Sequence, residues 1–264
     1  MLLVIDIGNT NIVAALFRGD DIIEIGRIFT DTHRTGDEYG IILRSLLRDI
    51  GVQPEKISSS TMSSVVPLLT GPFVTMIKKL TGKKPLIVNH TIYDKLPVKA
   101  PPARVQEIGT DLICNAVAAF MRFNGACIIV DFGTALTFTC VGMKGDILGC
   151  AFTPGIGTAV KSLSANTAQL PVVPLEAPPS SLGENTVQAI QSGIVFGYKG
   201  LVEFLLSRMK SDMAALENIP QDSISVIATG GLNSVLQPIS SVFQYVDRQL
   251  ILRGLKIISE MAQN

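Results

Sequence analysis

Two stretches of this 264-residue chain are variants of one another, and that repetition constrains the fold more than any other feature. LLVIDIGNTN, with Asp6 and Gly8, reappears as CIIVDFGTAL, with Asp131 and Gly133, and each pair of residues lies 125 positions apart. The similarity continues past the motif. After the first copy, NIVAALFRGDDIIEIGRIFT reads as strand, turn at Arg18-Gly19-Asp20, strand; after the second, LTFTCVGMKGDILGCAFT reads as strand, turn at Lys144-Gly145-Asp146, strand. Both meanders close on a Phe-Thr pair, Phe29-Thr30 and Phe152-Thr153.

Helical patterns follow each meander: DEYGIILRSLLRDIG after the first, then TAVKSLSANTAQ and TVQAIQSGIVFGYKGLVEFLLSRMK after the second. Between them KISSSTMSSVV, KPLIVN and SISVIATGG read as short strands. The sequence therefore predicts an α/β protein of two related halves, 1–123 and 124–264, with the boundary at Phe123-Asn124-Gly125. LPVVPLEAPPSSLGENT, with four prolines, reads as an ordered surface excursion leading into a helix.

With 47% hydrophobic and 17% charged residues the chain can bury a sizeable core. Lys plus Arg and Asp plus Glu both number 22, and no run of five like charges occurs, which argues against nucleic acid as a partner. The start, MLLVIDIGNTNIVAALF, has no basic leader, and Asp6 interrupts its apolar run. No stretch reads as the ~18 uncharged apolar residues of a membrane span, so a cytoplasmic protein without a membrane partner is expected. Cys114, Cys127, Cys140 and Cys150 have no metal-site spacing and read as reduced core residues; His33 and His90 are isolated from them.

Asp6-Ile7-Gly8-Asn9-Thr10-Asn11 falls where a buried strand meets a tight turn. Glycine lets backbone amides approach an anion, Asn and Thr add short donors, and the carboxylate can hold a cation that neutralises phosphate. Asp131-Phe132-Gly133-Thr134 repeats the arrangement. One such turn is accounted for by hairpin geometry alone; two in a duplicated fold suit the two sides of a nucleotide's phosphate chain. No Walker A sequence and no G-x-G-x-x-G is present, and Ala228-Thr229-Gly230-Gly231 is a lone Gly-Gly turn that could approach an adenosine. Glu107-Ile108-Gly109-Thr110-Asp111 precedes the helical run LICNAVAAFMRF. Two readings of Asp111 stand: a helix cap shared with Thr110, or a carboxylate kept ionised by the helix dipole and poised as a general base.

Taken in order and spacing, Asp6 to Thr10, Arg34 to Tyr39, Ser63 to Pro67, Gly109 to Asp111, Asp131 to Thr134, Pro154 to Ile156, Asn185-Thr186 and Ile190 to Gly193 resemble the type III pantothenate kinases of bacteria, members of the acetate and sugar kinase, Hsp70 and actin superfamily. The resemblance implies a duplicated actin-like (ribonuclease H-like) ATPase fold. It also implies ATP-dependent phosphorylation of pantothenate to 4′-phosphopantothenate, the first step of coenzyme A synthesis. By position, Asp6, Ile7, Gly8, Asn9, Thr10, Asn11, Ile12 and Val13 would bind ATP together with Thr134, with Mg²⁺ on the phosphates. Asp131 would hold a monovalent cation, potassium or ammonium. Asp111 would be the proton acceptor; Gly109, Thr110, Asp111 and Leu112 would line the substrate, and Thr186 would contact it. A homodimer is implied, with the substrate site at its interface.

The chain departs from the family pattern at three places. Leu112 stands where an arginine is expected, an aromatic residue expected near Pro102 is absent, and Leu136-Thr137-Phe138-Thr139 lacks a later carboxylate. These departures leave open a kinase of the same fold acting on another small alcohol, or a non-catalytic regulatory relative.

Overall fold

The computed structural model describes residues 1–102, 105–231, 235 and 240–263. The chain forms two compact units: residues 1–118 with 250–264, and residues 119–249. Each carries one five-stranded sheet.

In the first unit, β1 (Leu2–Ile7), β2 (Asn11–Arg18) and β3 (Asp21–Phe29) form the predicted meander. β1 then pairs in parallel with β4 (Ser59–Ser64), and β4 with the short β5 (Leu86–Ile87), giving the order β3-β2-β1-β4-β5. Alternation along β1 sends Leu3, Ile5 and Ile7 into a core shared with α1 (Gly36–Asp49) and α2 (Pro67–Thr81), through Tyr39, Leu43, Leu69, Phe73 and Ile77. Asp6, of opposite parity, is left on the other face. There the sheet meets the last helix of the chain, α6 (Leu250–Gln263), which packs on β1 and β4 while its buried Leu252, Leu255 and Ile258 lie outside that core. α1 begins on a capping box, Thr35 with Glu38.

α3 (Thr110–Phe123) links the units and ends where the sequence predicts, with Asn124 at φ +50° donating its amide to the Phe120 carbonyl at 2.7 Å. In the second unit, β6 (Cys127–Phe132), β7 (Ala135–Val141) and β8 (Ile147–Pro154) repeat the meander. β9 (Ser225–Gly230) joins β6 in parallel and β10 (Tyr245–Val246) joins β9, so the order β10-β9-β6-β7-β8 reproduces the topology of the first sheet. Ile128, Val130 and Phe132 of β6 pack with α4 (Ile156–Ala165) and α5 (Thr186–Glu217) through Ile156, Val160, Ile194 and Val195.

The duplication is thus one of topology as well as sequence, and the register corrects one detail. Asp6 faces Val13 and Ser63; Asp131 faces Thr137 and Thr229. Following the ladders outward, Thr137 opposes Phe152 whereas Val13 opposes Arg27, so the two Phe-Thr pairs are not equivalent. The tip after β6 is one residue shorter, since Gly133 donates to the Ala135 carbonyl where Gly8 donates to that of Asn11, and the following hairpin is correspondingly longer.

α5 is 32 residues long, and among the described residues it is the one helix long and apolar enough, by length and composition, to cross a membrane. Its buried Ile190, Ile194, Val195, Tyr198, Val202 and Leu206 belong to the core of the second unit. The proline-rich excursion before it is ordered, as expected: Gln191 donates to the Pro174 carbonyl at 2.9 Å and Ser192 to the Ser181 carbonyl at 2.6 Å. All four cysteines are free; Cys114, Cys127 and Cys140 are buried, whereas Cys150, expected in the core, is exposed on β8.

The segment after β3 is anchored by Tyr39, which is fully buried, stacks on Phe73 at 4.9 Å between ring centroids, and both donates to the Asp31 carbonyl and accepts from the Asp31 amide at 2.9 Å. Tyr39→Phe keeps the ring packing and strands the Asp31 amide, while the Asp31 carbonyl keeps the Arg34 amide at 3.2 Å. Chemical denaturation is expected to show a loss of about 1–3 kcal/mol, the cost of an unpaired polar group in a protein interior.

Candidate active site

The first site is built on the carboxyl end of β1. Asp6 is the last polar residue before the turn, and its Oδ1 accepts a hydrogen bond from Ser63 Oγ on the neighbouring parallel strand. The turn is closed by Gly8 donating to the Asn11 carbonyl at 3.1 Å. It is fastened from behind by Thr30, whose hydroxyl donates to the Gly8 carbonyl at 2.7 Å and whose amide donates to that of Thr10 at 3.0 Å. Asn9 at the tip is exposed, Ile7 and Ile12 are buried, and Asn11 and Val13 are half-buried at the start of β2. Ile7 and Ile12 therefore support the turn as core residues, and the groups presented outward are those of Gly8 to Asn11.

Asp111 stands in the first turn of α3, in the same unit. Thr110 does not cap the helix: its hydroxyl donates to the Ser64 carbonyl of β4 at 3.3 Å, tying the start of α3 to the end of that strand. The capping reading of Asp111 is partly met, because its carboxylate accepts from its own amide and from that of Leu112, the latter at 2.9 Å. Burial nevertheless outweighs those amides and raises the Asp111 pKa above that of an unperturbed aspartate, where the helix dipole alone would have kept it ionised. A carboxylate with a raised pKa is a stronger proton acceptor when ionised, which suits a general base.

Gly109 makes this arrangement possible. A Cβ there would lie 2.3 Å from Asp111 Oδ1, so any larger residue would push the carboxylate out of its position over Gly109. One helical turn beyond, the buried Cys114 thiol lies beside Ser63; burial, followed by the charges of Asp6 and Asp111, pushes its pKa well up. Tyr93 is pushed up to about 12, first by burial and then by Cys114 and Asp111. The structure therefore gathers Asp6 and Asp111, 105 positions apart in sequence, around Ser63, Cys114 and Tyr93. Sequence reasoning missed these last three. The one available signal was that Cys114 falls three residues after Asp111, on the same helix face.

Leu112, by contrast, points into the protein, only 5% exposed. Its aliphatic side chain is enclosed by the fold. Pro102 is followed by Ala103 and Arg104, which lie outside the described residues.

In the second unit, Asp131 ends β6 as Asp6 ends β1. Its Oδ1 leans on the backbone of β9: a Cβ on Gly230, whose φ is +86°, would come within 2.6 Å of that oxygen and 2.7 Å of Phe132. The Gly-Gly turn at Gly230-Gly231 thus serves to let the carboxylate sit down on the neighbouring strand. Thr134 is exposed, and its carbonyl accepts from the Gly155 amide at 2.9 Å and the Thr158 hydroxyl at 2.7 Å. Thr186 begins α5 beside its N-cap Asn185, which accepts from the Gln188 amide at 3.0 Å, and lines a largely apolar cavity of about 540 Å³ with Leu163, Leu170, Gly183, Asn185 and Ile190.

Among the described residues, no three His, Cys, Asp or Glu side chains cluster to make an all-protein metal cage. Isolated carboxylates at strand ends instead suit Mg²⁺, which keeps most of its waters and is held through one or two carboxylates together with substrate phosphates.

Two sheets of identical strand order, each with a carboxylate and a tight turn at the end of its central strand, define an actin-like ATPase fold. Solved structures agree. MreB 5 of Spiroplasma citri bound to AMPPNP matches with a TM-score of 0.55 at 10% identity, over 99% of this chain and 96% of that one. A ROK family glucokinase from Streptomyces griseus in complex with glucose and AMPPNP matches with a TM-score of 0.53 at 14% identity, over 98% and 99%.

Within that class the family is specific. The family model of type III pantothenate kinase matches residues 2–208, and the type III pantothenate kinase of Moorella thermoacetica is 40% identical over 260 residues, 98% of this chain and 99% of the relative. The chain belongs to the type III pantothenate kinase family and is a kinase.

The geometry at Asp111 gives three expected outcomes. Because its folded pKa is raised, activity that needs the ionised carboxylate falls as pH drops through that value, and the acid limb of the kcat profile should lie higher than an unperturbed aspartate would give and vanish in Asp111→Asn. The same raised pKa means that ionisation costs folding stability as pH rises, so Asp111→Asn should melt no lower than the native chain at pH 7 to 8. Gly109→Ala, by displacing the carboxylate, should reduce kcat with the circular dichroism spectrum unchanged.

Proposed function

We propose that this protein transfers the γ-phosphoryl group of ATP to the primary hydroxyl of pantothenate, giving 4′-phosphopantothenate, the first step of coenzyme A synthesis. The observation that carries the reading is Asp111: a half-buried carboxylate with a raised pKa, backed by glycine and gathered beside Asp6, in a chain of this family.

In this reading Asp6, Ile7, Gly8, Asn9, Thr10, Asn11, Ile12 and Val13 form the ATP-binding segment of the first unit, and Thr134 contributes from the second. Asp6 and the turn amides face the phosphates. Bound Mg²⁺ supplies charge neutralisation on them. Asp111 accepts the proton of the attacking hydroxyl, and Gly109, Thr110 and Leu112 shape its surroundings, Leu112 by packing. Such a reaction needs little covalent chemistry from the protein; positioning and electrostatics carry it. Asp131 holds a monovalent cation, potassium or ammonium, and Thr186 contacts pantothenate. The working form is a homodimer whose interface contributes to the substrate site. The repeats 1–123 and 124–264 are the two evolutionary halves.

A coupled ADP-release assay with pantothenate, with and without potassium or ammonium, tests the whole reading. Asp111→Asn is expected to lower kcat by roughly 10² to 10⁴, the usual worth of general acid–base catalysis, and to leave ATP binding nearly unchanged. Asp131→Asn should chiefly alter the response to potassium. Native turnover that ignores monovalent cations would remove Asp131 from this role, and inactivity toward pantothenate alongside turnover of another alcohol would replace the acceptor.

A further inference from the structure

The end of β4 does more than flank β1. Ser63, fully buried, donates through Oγ to Asp6 Oδ1 and lies beside the Cys114 thiol, itself fully buried. The next residue, Ser64, accepts through its carbonyl from Thr110 Oγ1. Thr110 and Cys114 bracket Asp111 in the first turn of α3. Two consecutive residues of one strand therefore grip the helix on either side of the base, and one of them also holds the phosphate-side carboxylate.

We propose that Ser63 is a positioning residue for the phosphoryl-transfer site: its hydroxyl fixes the Asp6 carboxylate, and its contact with Cys114 sets the helix that carries Asp111 at a constant distance from it. The proposal rests on the functional reading above, in which Asp6 faces the Mg²⁺-bearing phosphates and Asp111 accepts the proton.

Three physical points support it. A carboxylate oriented by a buried hydroxyl loses rotational freedom before ligand arrives, and groups that orient a metal-facing ligand in this way typically affect metal affinity or activity by about 10- to 100-fold when removed. A hydroxyl at a position with no exposure loses its hydrogen bonds to water, and the bond to Asp6 offsets that loss at Ser63. Ser63 Oγ carries a single proton and gives it to Asp6, so toward the neighbouring Cys114 thiol it can only accept.

The test separates this role from folding and from the acceptor's identity. Binding of AMPPNP is titrated by calorimetry over a range of Mg²⁺ concentrations, in the native chain and in Ser63→Ala, Ser63→Cys and Cys114→Ala, each checked by thermal melting. Ser63→Ala should raise the Mg²⁺ concentration for half-maximal nucleotide binding about tenfold or more, and Cys114→Ala, which leaves the Ser63 to Asp6 bond in place, by less. Ser63→Cys, which keeps the volume and a weak donor, should fall between the native chain and Ser63→Ala, and it carries the test if the alanine variant does not fold. In the kinase assay, Ser63→Ala should lower kcat with the pantothenate KM unchanged. A folded Ser63→Ala, or a folded Ser63→Cys in its place, with native Mg²⁺ dependence would overturn the proposal. A native chain that binds Mg²⁺-AMPPNP but does not phosphorylate pantothenate would instead remove the functional reading, and the Mg²⁺ titration would still decide the role of Ser63.

Discussion

The structure depends on one constraint, the alternation of side chains along a central strand that is paired on both edges. β1 lies between antiparallel β2 and parallel β4, so its backbone groups are engaged on both sides and its apolar residues must find a core. Leu3, Ile5 and Ile7 do so under α1 and α2. That parity leaves Asp6 on the opposite face at the carboxyl end of the strand, where open α/β sheets present ligand-binding groups. β6 repeats the solution with Ile128, Val130 and Phe132 inside and Asp131 out. A one-residue slip in either strand would bury the carboxylate in the aliphatic core, a penalty large enough to fix the register.

From that constraint the electrostatics follow. The face of β1 and β4 that carries Asp6 is covered by α6, with the start of α3 tied to the end of β4, and its surroundings are partly polar: Ser63 and Thr61 of β4 and Asn115 of α3 are all buried. Charges placed in such a setting act strongly on one another because little water screens them. Burial raises Asp111, and the Asp6 and Asp111 carboxylates in turn help hold the Cys114 thiol in its neutral form. Asp111 is thus both a partner of first-turn amides and a group whose ionised form is disfavoured. Those two demands pull its pKa in opposite directions, and burial prevails.

The two halves treat their carboxylates differently in spite of equal topology. Asp6 is held by a side chain, Ser63, from the parallel neighbour; Asp131 lies close against Gly230 of the corresponding strand. The register places Ser63 and Thr229 opposite the two aspartates, so equivalent strand positions have been kept while the contacts diverged.

How much of this was written in the sequence can be followed residue by residue. The repeat of Asp6-Ile7-Gly8 as Asp131-Phe132-Gly133 revealed two meanders, and from them two sheets of one topology, because strand period and turn residues are local properties that act on neighbouring positions. Gly109-Thr110-Asp111 before an apolar helix was legible for the same reason. The parity of Phe29 and Phe152 was not, because a residue lost at one turn and regained at the next hairpin is visible only in the hydrogen-bond ladder. Nor could the sequence show that α6 returns to β1 and β4, that Leu112 turns inward, or that Ser63 and Cys114 join Asp6 to the helix of Asp111. Those facts depend on contacts between residues about 50 to 250 positions apart, and on burial, which sets the pKa of Asp111 against the direction its helix position alone would give. The sequence by itself determined the repeated strands, their turns and the identity of the carboxylates; tertiary packing decided which of them meet and how readily each gives up its proton, because only packing removes water and brings distant chain segments within hydrogen-bonding reach.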